Sequence, residues 1–325
     1  MPEERYFVTG ASGCLGAWIV ARLVREGCRV ASFDVQSDQR RLGLLLDKYQ
    51  MAGASQYVGD IASADDLHRA VADFGATHVI HCAALQVPFV RSNPRLGAQV
   101  NVVGMVQVFE TALSLRDQVQ SVTFASAAGV FGPANKYPDG ILRDDSPHYP
   151  ETTLYGVTKE ANENTARFYA KEFGLYSTAI RPWVIYGVGR DQGMTSGPSA
   201  AMLAAAAGRP YHVTYGGTTV FHHADDAAAT FIAAARHPAG CAEAYNLPGI
   251  TASVAEFVAA ITTECPDSAG AISYVSDDLP YPTALDTSRI AAIPGVPEPR
   301  SLGSGIRESI AQFRVLLADG RVTPA

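Results

Sequence analysis

Short runs of β-favouring residues alternate with helical apolar stripes through the first two-thirds of the chain. Tyr6-Phe7-Val8 is continuously apolar, as a strand covered on both faces is. Residues 14–26 follow with Leu15, Ile19 and Leu23 four apart on one helical face, and Gly27 stops the helix. The same reading predicts strands at Arg29 to Phe33, Gln56-Tyr57-Val58, His78-Val79-Ile80, Ser121 to Ala125 and Tyr176 to Ile180. Helices are predicted between them at about 64–74, 94–115 and 153–173. Ser63-Ala64-Asp65-Asp66 opens the first of these with the form of a capping box, with Asp in place of Glu or Gln. Strand–helix alternation of this kind builds a doubly wound parallel sheet with helices on both faces, so the expected class is α/β.

The last third has a different texture. Gly193 to Pro198 is a Gly/Ser/Pro loop, followed by an Ala-rich helix and short runs at Tyr211-His212-Val213 and Thr219-Val220-Phe221. A helix at about 225–235 reads as a return to the sheet, and helices near 253–263 and 302–317 close the chain. There is no clean linker and no internal repeat. The expected division is a nucleotide-binding domain over 1–182, with 219–240 returning to it, and an interwoven substrate lobe over 183–325.

Composition narrows the class of function. The 325 residues are 47% hydrophobic and 18% charged, an ordinary globular balance. Lys plus Arg is 25 and Asp plus Glu is 32, so the net charge is −7, with no basic block. This argues against nucleic acid or an anionic membrane as the main partner, and for a small-molecule substrate. The longest apolar run, Ala200 to Ala207, is far short of the roughly 20 residues a spanning helix needs. Cys14, Cys28, Cys82, Cys241 and Cys265 are odd in number and lack C-x-x-C spacing. With no charged-then-apolar leader, they predict reduced thiols in a cytoplasmic protein.

Candidate chemistry begins directly after the first strand. Gly10-Ala11-Ser12-Gly13-Cys14-Leu15-Gly16 spaces three glycines three apart. The first permits a tight turn, the second lets backbone N–H groups approach a pyrophosphate, and the third lets helix and strand pack closely. The helix N-terminus adds partial positive charge. Asp34 follows 18 residues after Gly16, at the end of the second strand. An acid there accepts hydrogen bonds from ribose hydroxyls and repels a 2′-phosphate, which predicts NAD over NADP. Further on, Tyr155 and Lys159 stand four apart at the start of a helix and share a face. A nearby ammonium lowers a tyrosine pKa, so the pair can exchange the proton of a secondary alcohol while hydride moves to a nicotinamide.

Gly10-x-x-Gly13-x-x-Gly16, Asp34, Gly59-Asp60-Ile61, His81-Cys82-Ala83-Ala84, Asn101-Val102-Val103-Gly104, Val130-Phe131-Gly132, Tyr155-Gly156-Val157-Thr158-Lys159 and Arg181-Pro182 occur in one order. In that order the chain resembles the extended short-chain dehydrogenases/reductases, a group of nucleotide-sugar epimerases, dehydratases and NAD-dependent dehydrogenases. The resemblance implies a Rossmann-type domain with a smaller C-terminal α/β substrate lobe. It implies Tyr155 as acid/base and Lys159 as cofactor ribose ligand and tuner of that tyrosine. Asp60 and Ile61 would lie at the adenine, and Cys82, Ala83 and Ala84 along the cofactor beside Cys14 and Leu15. Asn101 would support a proton-relay water, and Pro182 and Val184 would lie near the nicotinamide amide. The plain alternatives are a turn acid at Asp60, a polar helix residue at Asn101, a loop stop at Pro182 and small buried fillers at Cys14 and Cys82.

The chain departs from the family pattern at three places. A Ser or Thr is usual three residues before Val130, and here it is Ala127, with Ser126 one residue earlier. One residue on a strand flips the side chain to the other face, so Ser126 serves as the catalytic hydroxyl only if the loop re-aims it. Ala128-Gly129 stands where related dehydratases carry Asp-Glu, which disfavours dehydration. Thr219 stands where a diphosphate-binding Arg is expected, and Leu279-Pro280-Tyr281-Pro282 carries none either. Arg190 and Arg209 remain to hold a single carboxylate or phosphate, or serve as plain loop and helix-end charges. His222 and His223 are adjacent on a strand and point opposite ways, so no metal site is expected; a polar strand end lining the pocket is the better reading.

Three functions are open at this stage. They are an NAD-dependent dehydrogenase of a sugar, sugar acid or polyol-like alcohol, an epimerase with no net redox, and an NAD-binding sensor that has lost catalysis. The substrate pocket is expected from loops around 85–95, 133–148 and 186–200. The helices at 95–115 and 153–173 carry apolar residues on more than one face (Val102, Val106, Phe109; Val157, Phe168, Tyr169), which predicts a homodimer through them.

Overall fold

The computed structural model describes residues 3–276 and 282–323. The chain runs β1 (Arg5–Thr9), α1 (Cys14–Arg25), β2 (Arg29–Asp34), α2 (Arg40–Leu45), α3 (Lys48–Met51), β3 (Ala54–Val58), α4 (Ala64–Phe74), β4 (His78–His81), α5 (Val87–Ser92), α6 (Pro94–Ala98), α7 (Gly104–Ser114), β5 (Ser121–Ala125), β6 (Ile141–Leu142) and α8 (Leu154–Phe173). It continues through β7 (Ser177–Arg181), β8 (Val184–Tyr186), α9 (Gly197–Ala206), β9 (Tyr211–Val213), β10 (Thr218–His223), α10 (Ala224–Arg236), β11 (Ala242–Asn246) and β12 (Ile250–Ser253). It closes with α11 (Val254–Glu264), β13 (Ile272–Tyr274), β14 (Ala284–Leu285), α12 (Ser288–Ala291) and α13 (Leu302–Ala318).

Seven strands form the central sheet in the order β11-β7-β5-β4-β1-β2-β3, every pairing parallel. This is the doubly wound α/β architecture expected. Alternation along β1 explains its unbroken apolar run. Tyr6 and Val8 enter the core that holds Trp18, Ile19 and Phe231, while Phe7 enters the opposite core with Phe33, Phe74 and Phe109. Strand order reverses between β1 and β4, and a crevice opens there beyond the strands' carboxyl ends. The expected helix at 94–115 is helical throughout but not uniform: residues Gln99–Val103 form a π-helical segment between α6 and α7.

The chain leaves the sheet after β7. It then builds a three-stranded sheet, β12-β10-β8, with β10 parallel to β8 and antiparallel to β12. Helices α9, α11 and α13 pack together beside it. The return to the main sheet differs from the expected 219–240. Strand β10 belongs to the smaller sheet, and the returning elements are α10, which packs on α1, and β11, which pairs with β7. Among the described residues no helix is long and apolar enough to cross a membrane.

Candidate cofactor and substrate site

The glycine loop after β1 is held by close backbone approach. Gly10 has φ +68°, and a Cβ there would fall 2.5 Å from Ala83 N; a Cβ on Gly16 would fall 2.3 Å from Gly10 O. Only glycine lets β1, β4 and α1 meet at this distance. The first helical bond of α1 runs from Ala17 N to Gly13 O, 2.9 Å, so the N–H groups of Cys14, Leu15 and Gly16 have no intrahelical acceptor. No side chain caps them and the first turn holds no acid. They are free donors at the positive end of a 12-residue helix, and their residues line a cavity.

Asp34 ends β2 beside that loop. Its carboxylate accepts from Ser12 N at 2.9 Å and Val35 N at 2.8 Å. Each oxygen keeps accepting capacity for a further hydroxyl. Asp60 caps its own turn by accepting from Ala62 N at 2.9 Å, and Ile61 is buried beside it. A cavity of about 680 Å³ runs from this point to Tyr155. Gly10, Gly13, Cys14, Leu15, Gly16, Asp34, Asp60, Ile61, Cys82, Ala83, Ala84, Ser126, Tyr155, Lys159, Pro182 and Val184 all line it. The uncapped amides and the carboxylate behind them fit a dinucleotide's diphosphate and adenosine ribose. Burial pushes the Cys14 thiol up to about 11 and the Cys82 thiol up to about 12, so neither is a thiolate at neutral pH.

Tyr155 stands in the first turn of α8. Thr153 Oγ1 caps that helix by accepting from Gly156 N at 3.0 Å. A Cβ on Gly156 would fall 2.1 Å from Gly129 O, so glycine after the tyrosine lets α8 lie on the 128–130 turn. One turn on, Lys159 is 2% exposed and donates to Ala125 O at 2.7 Å. Its Nζ lies 5.5 Å from the Tyr155 ring centroid. The expected lowering of the tyrosine pKa by this ammonium is not what the geometry gives. Lost hydration pushes the Tyr155 phenol up to about 12, and the cation that offsets part of this is Arg190. Burial also brings Lys159 down to about 8, with Cys82 and Glu163 favouring its charged form.

Two expected residues have other tasks. Ser126 Oγ donates to Glu163 Oε1 at 2.6 Å. Strand β5 ends at Ala125, yet its ladder to β7 continues through Ser126 N to Ile180 O and Ala128 N to Pro182 O. Ala127 stays extended at φ −163°, ψ 159°, so alternation persists and the Ser126 hydroxyl points away from the side Ala127 faces. Asn101 is buried and does not line the cavity. Its Nδ2 donates to Leu85 O and Thr158 Oγ1, and its Oδ1 accepts from Leu85 N, so its amide ties the loop after β4 to α8.

The substrate end also differs in part. Loops 85–95 and 186–200 supply lining residues, among them Gln86, Phe89, Arg190 and Thr195, but 133–148 supplies none. That segment closes a separate small core around Phe131, Tyr137 and Leu142. His222 and His223 do not line the cavity either. Trp183 N donates to His222 Nε2, which leaves Nδ1 to donate to Pro248 O, while His223 Nδ1 accepts from Asp225 N at the start of α10. Arg209 is exposed and away from the cavity, whereas Arg190 and Thr219 both line it. Residues 279–281 lie outside the described residues. Arg41 was not anticipated. Its guanidinium bonds Asp191 Oδ1 at 2.9 and 2.6 Å and Ser12 O at 2.7 Å, tying α2 to the loop after β8 beside the glycine loop. In sequence it sits in an ordinary polar run, Asp38-Gln39-Arg40-Arg41, with no distinguishing signal.

A model of the NAD dependent epimerase/dehydratase family matches residues 6–247. Protein CapI of Staphylococcus aureus is 26% identical over 56% of this chain, and the match spans only 54% of that protein. UDP-glucose 4-epimerase of Mycolicibacterium smegmatis is 30% identical over 95% of this chain and 98% of its own length. Among solved structures, a GalE-like L-threonine dehydrogenase from Cupriavidus necator superposes with a TM-score of 0.81 at 21% identity, covering 95% of this chain and 99% of that one. That likeness concerns the fold.

Proposed function

Because this chain belongs to the NAD dependent epimerase/dehydratase family, we propose that it moves a hydride between NAD and a secondary alcohol of a sugar, sugar acid or similar polyol. The observation that carries this is that Tyr155, Lys159 and the uncapped amides of α1 open onto one cavity. In this reading the α1 amides hold the diphosphate and Asp34 the adenosine ribose. Asp60 and Ile61 wall the adenine, and Pro182 and Val184 border the nicotinamide amide. Bound NAD supplies the hydride acceptor. Tyr155 takes or returns the hydroxyl proton, and Lys159 holds the nicotinamide ribose. With Ala127 offering no hydroxyl, orientation of the substrate oxygen falls to Tyr155. We divide the chain at 182, with α10 and β11 serving the cofactor domain. The five unpaired cysteines suit a reducing cytoplasm.

The second reading is epimerisation, favoured by the likeness to the Mycolicibacterium epimerase over nearly the whole chain. One screen separates the two. Free sugars, aldonic and uronic acids and nucleotide sugars are incubated with NAD while NADH absorbance and product isomers are followed. A dehydrogenase accumulates NADH, an epimerase interconverts isomers with none, and neither signal across the panel would remove both readings.

We further propose a homodimer. Phe109 and Tyr169 are buried and stack at 4.9 Å, while Val157 is 41% and Phe168 53% exposed on the outer face of the same helix pair. Val103 and Phe173 are also exposed. Covering such apolar area by a second copy is favourable at roughly 25 cal/mol per Å². Phe168→Glu should convert a dimer to a monomer in analytical ultracentrifugation; a wild-type monomer would remove the proposal.

A further inference from the structure

Among the described residues three cationic side chains line the cavity: Arg41, Lys159 and Arg190. Arg41 is paired with Asp191, and Lys159 donates to the Ala125 carbonyl and, in the proposed reading, serves the nicotinamide ribose. Arg190 differs. Its Nη1 meets Gln86 Oε1 at 3.4 Å and its Nη2 meets Thr195 Oγ1 at 3.2 Å, both neutral and both long. Its Nε is buried without a hydrogen-bond partner, and among the described residues no ion pair joins it to a carboxylate. The other arginine deep in this region, Arg181, has a full carboxylate partner in Glu163.

A half-buried guanidinium without a counter-charge is costly, and its planar fork matches a carboxylate. Two of its four Nη hydrogens remain for one. The loop that carries it is shaped by Gly189 at φ +82° and Gly193 at φ +100°, conformations suited to glycine, so its aim is built into the backbone. Thr219 offers only a hydroxyl to the same cavity. Arg190 lines the same cavity as Tyr155 and as Cys14 at the start of α1, and its charge is felt at both.

We propose that Arg190 anchors a carboxylate carried by the substrate close to its reacting carbinol, so that the substrate is a hydroxy acid, such as a short sugar acid, and not a nucleotide-diphosphate sugar. The inference rests on the hydride-transfer reading and narrows it.

The test uses malonate as the anionic probe, malonamide as its neutral counterpart and UDP as the nucleotide probe. Each is titrated against the NAD-saturated protein by thermal shift and calorimetry. Malonate should bind the wild type, with malonamide and UDP silent. Arg190→Gln should weaken malonate roughly tenfold or more, and Arg190→Lys, which keeps the charge without the fork, by less. NAD affinity should stay within about twofold in both variants, which also shows that they are folded. Malonate binding equally to Arg190→Gln, no malonate binding to the wild type, or tight UDP binding would each overturn the proposal. A tenfold loss of NAD affinity in Arg190→Gln would overturn it too, by assigning the guanidinium to the cofactor's diphosphate. Failure of the wild type to take up NAD would bring down the hydride-transfer reading itself, a separate result.

Discussion

Tyr155→Phe should lower kcat about a thousandfold while NAD affinity stays within about twofold. The substitution removes one oxygen and keeps the ring, so the packing of α8 on the 128–130 turn is retained. What is lost is the group proposed to exchange the substrate's hydroxyl proton. Ala127 has no hydroxyl, and the Ser126 hydrogen is committed to Glu163, so neither neighbour can take over. Lys159 can hold a proton, but it is fastened to Ala125 O below the tyrosine. The measurement is steady-state turnover on the substrate found by the screen, paired with calorimetric NAD titration. Turnover within tenfold of wild type would mean that another group does the acid/base work.

Glu163→Ala should destabilise the protein by about 3–5 kcal/mol, read from equilibrium urea unfolding. Arg181 is fully buried and forms a fork on Glu163, Nε to Oε1 at 2.8 Å and Nη2 to Oε2 at 2.7 Å. Its Nη1 donates to Asp144 O at 2.8 Å and its guanidinium lies 5.0 Å from the Phe131 ring centroid. Truncating the carboxylate leaves that charge buried without its counter-charge and frees Ser126 as well. Replacing both members by apolar residues, as in Glu163→Met with Arg181→Met, should cost much less than Glu163→Ala alone, because no orphaned charge remains. A loss below about 1 kcal/mol for Glu163→Ala would show that the pair is not the anchor its geometry describes.

The central sheet was legible because its strands are buried on both faces and its glycines stand where backbones touch. Gly10 and Gly16 are readable from sequence for that steric reason. Strand β11 was not. Ala242-Glu243-Ala244-Tyr245-Asn246 has little β-branched character, and as an edge strand it is chosen by pairing with β7 more than by its own propensity. The site was legible where backbone conformation makes it and obscure where long side chains do. Nothing local distinguishes Arg41 from Arg40, yet one lies beside the glycine loop and the other pairs with Asp38 in solvent. Ser126 shows the middle case. The period-two rule gave the right face, and only the continued ladder beyond β5 shows that the loop does not undo it.

The weave of the chain between its two sheets also bears on how such a protein changes over time. The polypeptide crosses after β7, again where β10 gives way to α10, and again after β11. Neither half can be lifted out with one pair of cuts, so a new pocket cannot be acquired by swapping a cassette. New specificity in this architecture comes more readily one side chain or one loop at a time, while the sheet beneath stays as it is.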